Sequence, residues 1–209
     1  MGTLASICQI FIDTIPSGRY NVFMKKLLQY NKTREAILDA ANRTLKAKGI
    51  EGFTLEAVAQ ETPVSKGGLL YHFPSKNSLI EGMIARSIAQ VDAALEEELE
   101  KTGGDYLASY IKASFRTTVE PEQVSWAIFS AIARDARLLE PLRAHFERMQ
   151  SEITAAAPSE EAGTLIRLCL DGLWYAQVYN FAPPDPELRQ RLQDTLLKFV
   201  CNNHCSKDK

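Results

Sequence analysis

Phe53-Thr54-Leu55-Glu56-Ala57-Val58-Ala59, followed by Val64-Ser65-Lys66-Gly67-Gly68-Leu69-Leu70-Tyr71-His72-Phe73-Pro74-Ser75-Lys76, is the stretch that decides how this chain is built. Thr54 opens a short segment to Glu61 in which Leu55, Val58 and Ala59 recur at helical steps, and Thr62-Pro63-Val64 breaks it. Ser65 is suited to cap a very short helix from Lys66 to His72, which Phe73-Pro74 ends. A longer helical pattern precedes both, with Ile37, Ala41, Thr44 and Leu45 on one face and Gly49 where a helix terminus is expected. A long helix followed by two short ones across a tight turn is the helix-turn-helix arrangement.

The second short helix of that motif enters the DNA major groove, and its first residues reach base edges and phosphates. Gly67 and Gly68 are each about 1 kcal/mol poorer than alanine as helix formers. Their presence makes sense if DNA must come close to the helix. Lys66, Tyr71, His72 and Lys76 supply donors for phosphates, and Thr54 and Ser65 add hydroxyls at helix starts.

Outward from the motif, Ser75 is placed to cap a long fourth helix running to about Glu100, with Leu79, Met83, Ile84, Ile88, Val91 and Leu95 on one stripe. Thr102-Gly103-Gly104 stops it. Helices are then expected over about 106–119, 121–138, 141–156, 160–181 and 186–201, separated by proline-bearing breaks. No stretch alternates like a strand, so the fold class is all-α. The domains expected are a flexible extension at 1–23, a helix-turn-helix domain at 24–74, a connecting helix at 75–101 and a helical body at 102–209.

The 209 residues are 45% hydrophobic and 24% charged, a globular composition. The net charge of −2 conceals a split. Residues 24–86 carry ten Lys/Arg against six Asp/Glu, and residues 87–209 carry thirteen against nineteen. A basic front on an acidic body suits a polyanion-facing module. No apolar run spans a bilayer, and four cysteines are too few for a disulfide scaffold, so a cytoplasmic protein with no membrane partner is expected. Three histidines, with no Gly-x-Ser-x-Gly, no Gly-x-x-x-x-Gly-Lys and no His-Glu-x-x-His, argue against an enzyme. Cys201-x-x-His204-Cys205 lacks a fourth ligand, so neither a metal nor a cofactor is expected.

Residues 32–82 resemble the DNA-binding domain of the TetR family of transcriptional repressors. The resemblance implies a homodimer in which each subunit has a three-helix reading head, a long fourth helix and a helical body with a small-molecule pocket. It implies that Thr54 caps the second helix and touches a phosphate. Ser65, Lys66, Gly67 and Gly68 face bases, Tyr71 and His72 lie near the DNA backbone, and Lys76 holds a phosphate. Three positions depart from the family pattern. Leu70 stands where tyrosine is frequent, Pro63 replaces a turn glycine, and Glu56 occupies a position that is often a basic or polar DNA contact.

The partners implied are a pseudo-palindromic double-stranded operator and an unknown, mostly apolar small-molecule effector. Trp126, Phe129, Trp174 and Tyr175 are the candidate pocket lining, because aromatics among a few polar groups suit such a ligand. Apolar helices near 164–181 and 187–200, joined by a proline-rich corner, are the candidate dimerisation pair. A ligand-released repressor is the leading reading, and an activator or a regulator controlled by a protein partner is the alternative.

Overall fold

The computed structural model describes the backbone over residues 17–117 and 135–204, and side chains within 25–117 and 135–200. Among the described residues every regular element is a helix. They divide into two compact units, residues 1–75 and 76–209.

The first unit holds α1 (Ser17–Gly52), α2 (Leu55–Gln60) and α3 (Lys66–His72). Its core is Ile37, Leu38, Ala41 and Leu45 of α1 with Phe53, Val58, Leu69 and Phe73, all almost fully buried. The α1 pattern that sequence periodicity reveals is therefore the one that packs. The helix itself begins at Ser17 rather than Thr33, so the last residues of the 1–23 segment, expected to be flexible, are helical. Periodicity missed this because residues 25–32 are all exposed and leave no apolar stripe to detect. At the other end Gly49 adopts φ 65°, ψ −172°, a conformation essentially reserved for glycine, and breaks the helical run before Ile50. Arg43 donates to the Glu61 carbonyl at 2.9 Å, tying the end of α2 to α1.

The second unit contains α4 (Lys76–Thr102), α5 (Tyr106–Thr117), a 3-10 turn (Ala136–Leu139), α6 (Glu140–Ala156), α7 (Glu160–Tyr179) and α8 (Pro186–His204). Gly103 and Gly104, both at positive φ, make the tight corner between α4 and α5. Asn180 in the left-handed region closes α7. Leu107, Tyr110, Ile111 and Phe115 of α5 build the core with Met149 and Ile153 of α6, Ile166 and Leu170 of α7, and Val200 of α8. Polar fastenings surround it. Arg116 of α5 reaches Glu97 at 2.7 Å, Glu98 at 3.2 Å and the Ala94 carbonyl at 3.2 Å, binding the α4–α5 pair together.

The sequence-derived helices at 106–119, 141–156, 160–181 and 186–201 correspond to α5 to α8. That at 121–138 lies mostly outside the described residues, and its last described portion forms the 3-10 turn. Trp126 and Phe129 also lie outside them.

Candidate nucleic-acid interface

The three helices of the first unit present one short helix, α3, whose inward and outward residues are cleanly divided. Leu69 is buried and Phe73, just past the helix, is likewise in the core. Lys66, Gly67, Leu70 and Tyr71 are exposed, Tyr71 to 76%. Seven residues are too few to hold a helix in water by themselves. Caps and core contacts do it instead.

Ser65 caps α3 by accepting a hydrogen bond from the Gly68 amide at 3.1 Å, and Thr54 caps α2 by accepting from Ala57 at 3.1 Å. Each cap contributes about 1 kcal/mol. A hydroxyl that accepts still has its own proton to donate. Both side chains thus keep an O–H available for a phosphate oxygen while serving the fold.

The two glycines have different reasons to be glycine. A Cβ on Gly68 would lie 2.7 Å from Cγ1 of Val64, so the fold itself crowds that position. A Cβ on Gly67 meets nothing within 4 Å. Nothing in the described protein excludes a side chain there, and the helix would gain from one.

Lys66 extends its ammonium to Glu56 Oε1 at 2.8 Å, across the turn from α3 to α2. Both side chains are exposed. The hydrogen bond from Lys66, then the backbone, holds the Glu56 carboxyl below its ordinary range. A carboxylate thus occupies the place a phosphate oxygen would take. This pairing was not legible from the sequence, because ten positions and a turn separate the two residues.

His72 differs from the free surface donor the sequence implies. It is half-buried, its Nδ1 is shielded from solvent and lacks a hydrogen-bond partner, and its ring lies 4.3 Å from that of Tyr30. Burial, then the nearby Arg34 charge, pushes it below the usual histidine range. The neutral ring serves chiefly as packing between Tyr30 and Tyr71, whose rings lie 6.1 Å apart at near-right angles. Arg34 rests over the Phe73 ring at 5.3 Å. Tyr30 and Arg34 are interface neighbours that motif spacing did not single out. Lys76 is the first residue of α4, in the second unit, and is half-buried.

Among the described residues, two open clefts of the body are notable. One, of about 670 Å³, is lined by Glu98, Lys112, Phe115, Arg116, Gln177 and Arg189 among others. The other, of about 840 Å³, is lined by Asp92, Leu95, Leu99, Tyr106, Arg148 and Glu152 among others. Both linings are apolar over their larger share and carry charged side chains among the apolar ones. Trp174 and Tyr175 line neither. They begin an aromatic ladder that runs to the end of α7 and beyond it, in which Tyr175 stacks on Tyr179 at 6.0 Å and Tyr179 on Phe181 at 5.3 Å. Tyr175 is exposed because its position on α7 follows Leu165 and Leu168, also exposed, at helical steps. Among the described residues no three His, Cys, Asp or Glu side chains gather to hold a metal, and no helix is long and apolar enough to cross a membrane.

Comparison with known proteins agrees with this division. Residues 37–83 match the family model of bacterial regulatory proteins of the tetR family, and residues 104–200 match the tetracyclin repressor-like C-terminal domain. The chain is 25% identical over 172 residues to the HTH-type transcriptional regulator BetI of Burkholderia ambifaria, covering 76% of this chain and 89% of that one. It is 23% identical over 190 residues to BetI of Paraburkholderia phytofirmans, covering 85% and 97%. In fold it is similar to a transcriptional regulator from Rhodococcus sp. Rha1, with TM-score 0.64, 21% identity and 81% and 96% coverage. It is also similar to the multidrug binding protein EbrR complexed with malachite green, with TM-score 0.60, 21% identity and 78% and 96% coverage. Matched in both its reading head and its helical body, and with relatives that are regulators rather than enzymes, the chain belongs to the TetR family of DNA-binding transcriptional regulators.

Proposed function

We propose that the protein is a dimeric repressor that reads a pseudo-palindromic operator with α3 and leaves it when a small molecule occupies the body. The observation that carries the DNA half is Gly67, a helix-weakening residue on an exposed face with open space around it. A glycine that the fold does not need is explained by something outside the fold that comes close. Ser65, Lys66 and Gly68 lie at the same helix start. Thr54, Tyr71 and Lys76 are the accompanying backbone contacts, with His72 acting through its packing on Tyr71.

Dimerisation is supported by apolar surface that monomeric proteins rarely display. On α7, Leu165, Leu168 and Tyr175 are exposed with Gly172 among them, where a Cβ would meet nothing. On α8, Leu188, Leu192 and Phe199 are exposed along a second stripe. A second copy would cover both and bring two reading heads to one DNA site. One seven-residue helix makes too few contacts for specific binding, and two half-sites a helical turn or more apart answer that need.

The effector half rests on the two clefts, each partly walled by α4, the helix whose first residue follows the reading unit directly. A molecule lodged against α4 releases DNA only if it binds the released arrangement more tightly than the DNA-competent one. EbrR's complex with malachite green is a precedent for a small molecule on this fold. Linings that are apolar over their larger share, with charged side chains among them, suit a mostly apolar effector that carries a polar or ionic group.

The deciding experiment is selection of genomic DNA fragments by the purified protein beside Lys66→Ala. The expected result is enrichment of one short pseudo-palindrome by the wild type and its loss in the variant. Equal enrichment by both would sink the assignment of α3 as the reading element. Compounds that stabilise the protein thermally are then added to the operator complex, and release by at least one is the expected outcome.

A further inference from the structure

We infer that the N-terminal part of α1 is a second DNA contact, a basic helical arm that lies along the phosphate backbone beside the recognition helix. The inference rests on the reading of α3 as the element that enters the groove.

α1 continues upstream from the head to Ser17, well before Ile37, the first residue it fully buries. Residues 25–32 are each exposed, Leu28 to 64%. A helical segment with no buried residue gains little stability from the core, and isolated helical turns are marginal in water. Its charge shows what it suits. From residue 17 to residue 34 there is no Asp or Glu, while Arg19, Lys25, Lys26 and Lys32 are cationic; Arg34, at the end of the run, pairs with Glu35 at 3.5 Å. In a protein of net charge −2 this is a concentrated positive run, complementary to a polyanion.

Its attachment to the head fixes where it runs. Lys26, Tyr30 and Arg34 are four residues apart and share one face of α1. Tyr30 lies against His72 at 4.3 Å and near Tyr71 at 6.1 Å, and Arg34 covers Phe73 at 5.3 Å. Those three partners are consecutive residues at the C-terminal end of α3. The stripe is therefore pinned where α3 ends, beside the exposed Tyr71, and Lys26 stands one turn, about 6 Å, further along the same helix face. A strand passing Tyr71 meets this lysine next. Tyr30 acts as a positioning residue, holding the arm against the end of the reading helix through a neutral, half-buried His72.

The test measures operator affinity of the full-length protein against salt concentration. Each lysine–phosphate contact removed lowers the slope of log affinity against log salt by about 0.9. Lys25→Ala/Lys26→Ala is expected to lower the slope by at least about 1 and to weaken binding to all DNA sequences alike, with the operator preference retained. Lys25→Gln/Lys26→Gln removes the charge while keeping helix propensity, and must give the same loss. Lys25→Arg/Lys26→Arg must keep the slope. Tyr30→Ala, which leaves both lysines in place, is expected to reproduce part of the loss. Arg143→Ala, an exposed arginine on α6, is the control that leaves the slope alone.

A wild-type slope preserved in both the alanine and glutamine variants overturns the arm and leaves the reading of α3 standing. Wild-type protein that selects no sequence over Lys66→Ala overturns that reading first. A preserved slope with loss of self-association in the variants would make the segment a contact between copies, which also overturns the proposal.

Discussion

Replacing Gly67 with alanine separates folding from DNA binding more sharply than any other single change. In the folded protein the added methyl meets nothing within 4 Å, so no packing penalty opposes it. Alanine is better than glycine in a helix by up to about 1 kcal/mol, chiefly because the unfolded chain loses freedom. That corresponds to an increase of about 2–4 °C in melting temperature for a chain of this size. On the proposed reading the same methyl stands on the face turned to the groove. If DNA approaches as closely as the glycine permits, the intrusion costs the complex about 1–3 kcal/mol, as overpacking does in a filled core. Operator affinity then falls by about five- to 150-fold. Gly68→Ala is the companion. There the methyl meets Val64 Cγ1 at 2.7 Å, and Val64 has little rotamer freedom to retreat, so stability falls instead of rising. Thermal unfolding and fluorescence anisotropy on one operator duplex read both quantities. A Gly67→Ala protein that is more stable and binds its operator undiminished would refute the argument that DNA is what requires a glycine there.

Leu168→Asp places a charge in the centre of the exposed α7 stripe. It is expected to give a monomer by sedimentation velocity, with operator affinity greatly reduced but the helical circular dichroism retained. Gly49→Ala forces a side chain into φ 65°, ψ −172°, and is expected to cost about 1–3 kcal/mol in chemical denaturation, although the space around it is open. His72 and His145 are both held below the ordinary histidine value of 6.5, chiefly by burial. A depressed folded value means that the unfolded chain takes up protons first. Their contribution is complete above about pH 6.5 and is lost as pH falls through the folded values, so urea unfolding should show lower stability near pH 5.5 than near pH 7.5. His145→Gln should reduce that difference, since Asp92 at 3.6 Å only partly offsets the burial.

The fold was legible where burial wrote a period into the sequence. Ile37, Ala41, Thr44 and Leu45 mark the part of α1 that packs, and Thr54 and Ser65 were recognisable as caps because only a few side chains do that work. The upstream turns of α1 were illegible for the converse reason: Lys25 to Lys32 bury nothing, so no pattern constrains them. The site was legible as a set of residue types but not as a set of partners. Lys66 reads as a free cation until Glu56 is brought beside it by the turn. His72 reads as a surface donor until Tyr30, far upstream in sequence, covers its ring. Tyr175 reads as a pocket aromatic by composition, and only the helix face shows it turned outward with Leu165 and Leu168.

The short recognition helix limits how this protein can change its DNA preference. Of its seven residues, Leu69 is fixed by the core and Gly68 by Val64, while the preceding Ser65 is fixed as the cap. Phe73, just beyond it, is fixed by burial beneath Arg34. His72 is constrained between Tyr30 and Tyr71. Lys66, Gly67, Leu70 and Tyr71 are the exposed ones and are less constrained, although Lys66 pairs with Glu56 and Tyr71 packs on Tyr30 and His72. Leu70 is the position among these that offers an apolar surface, suited to a thymine methyl rather than to a phosphate. Lys66 and Tyr71 bracket it with polar atoms. On the proposed reading, operator preference is set by the start and middle of this helix, while Tyr71 near its end sets affinity. Substitutions at Leu70 should change which bases are preferred, whereas substitutions at Tyr71 should weaken every sequence together.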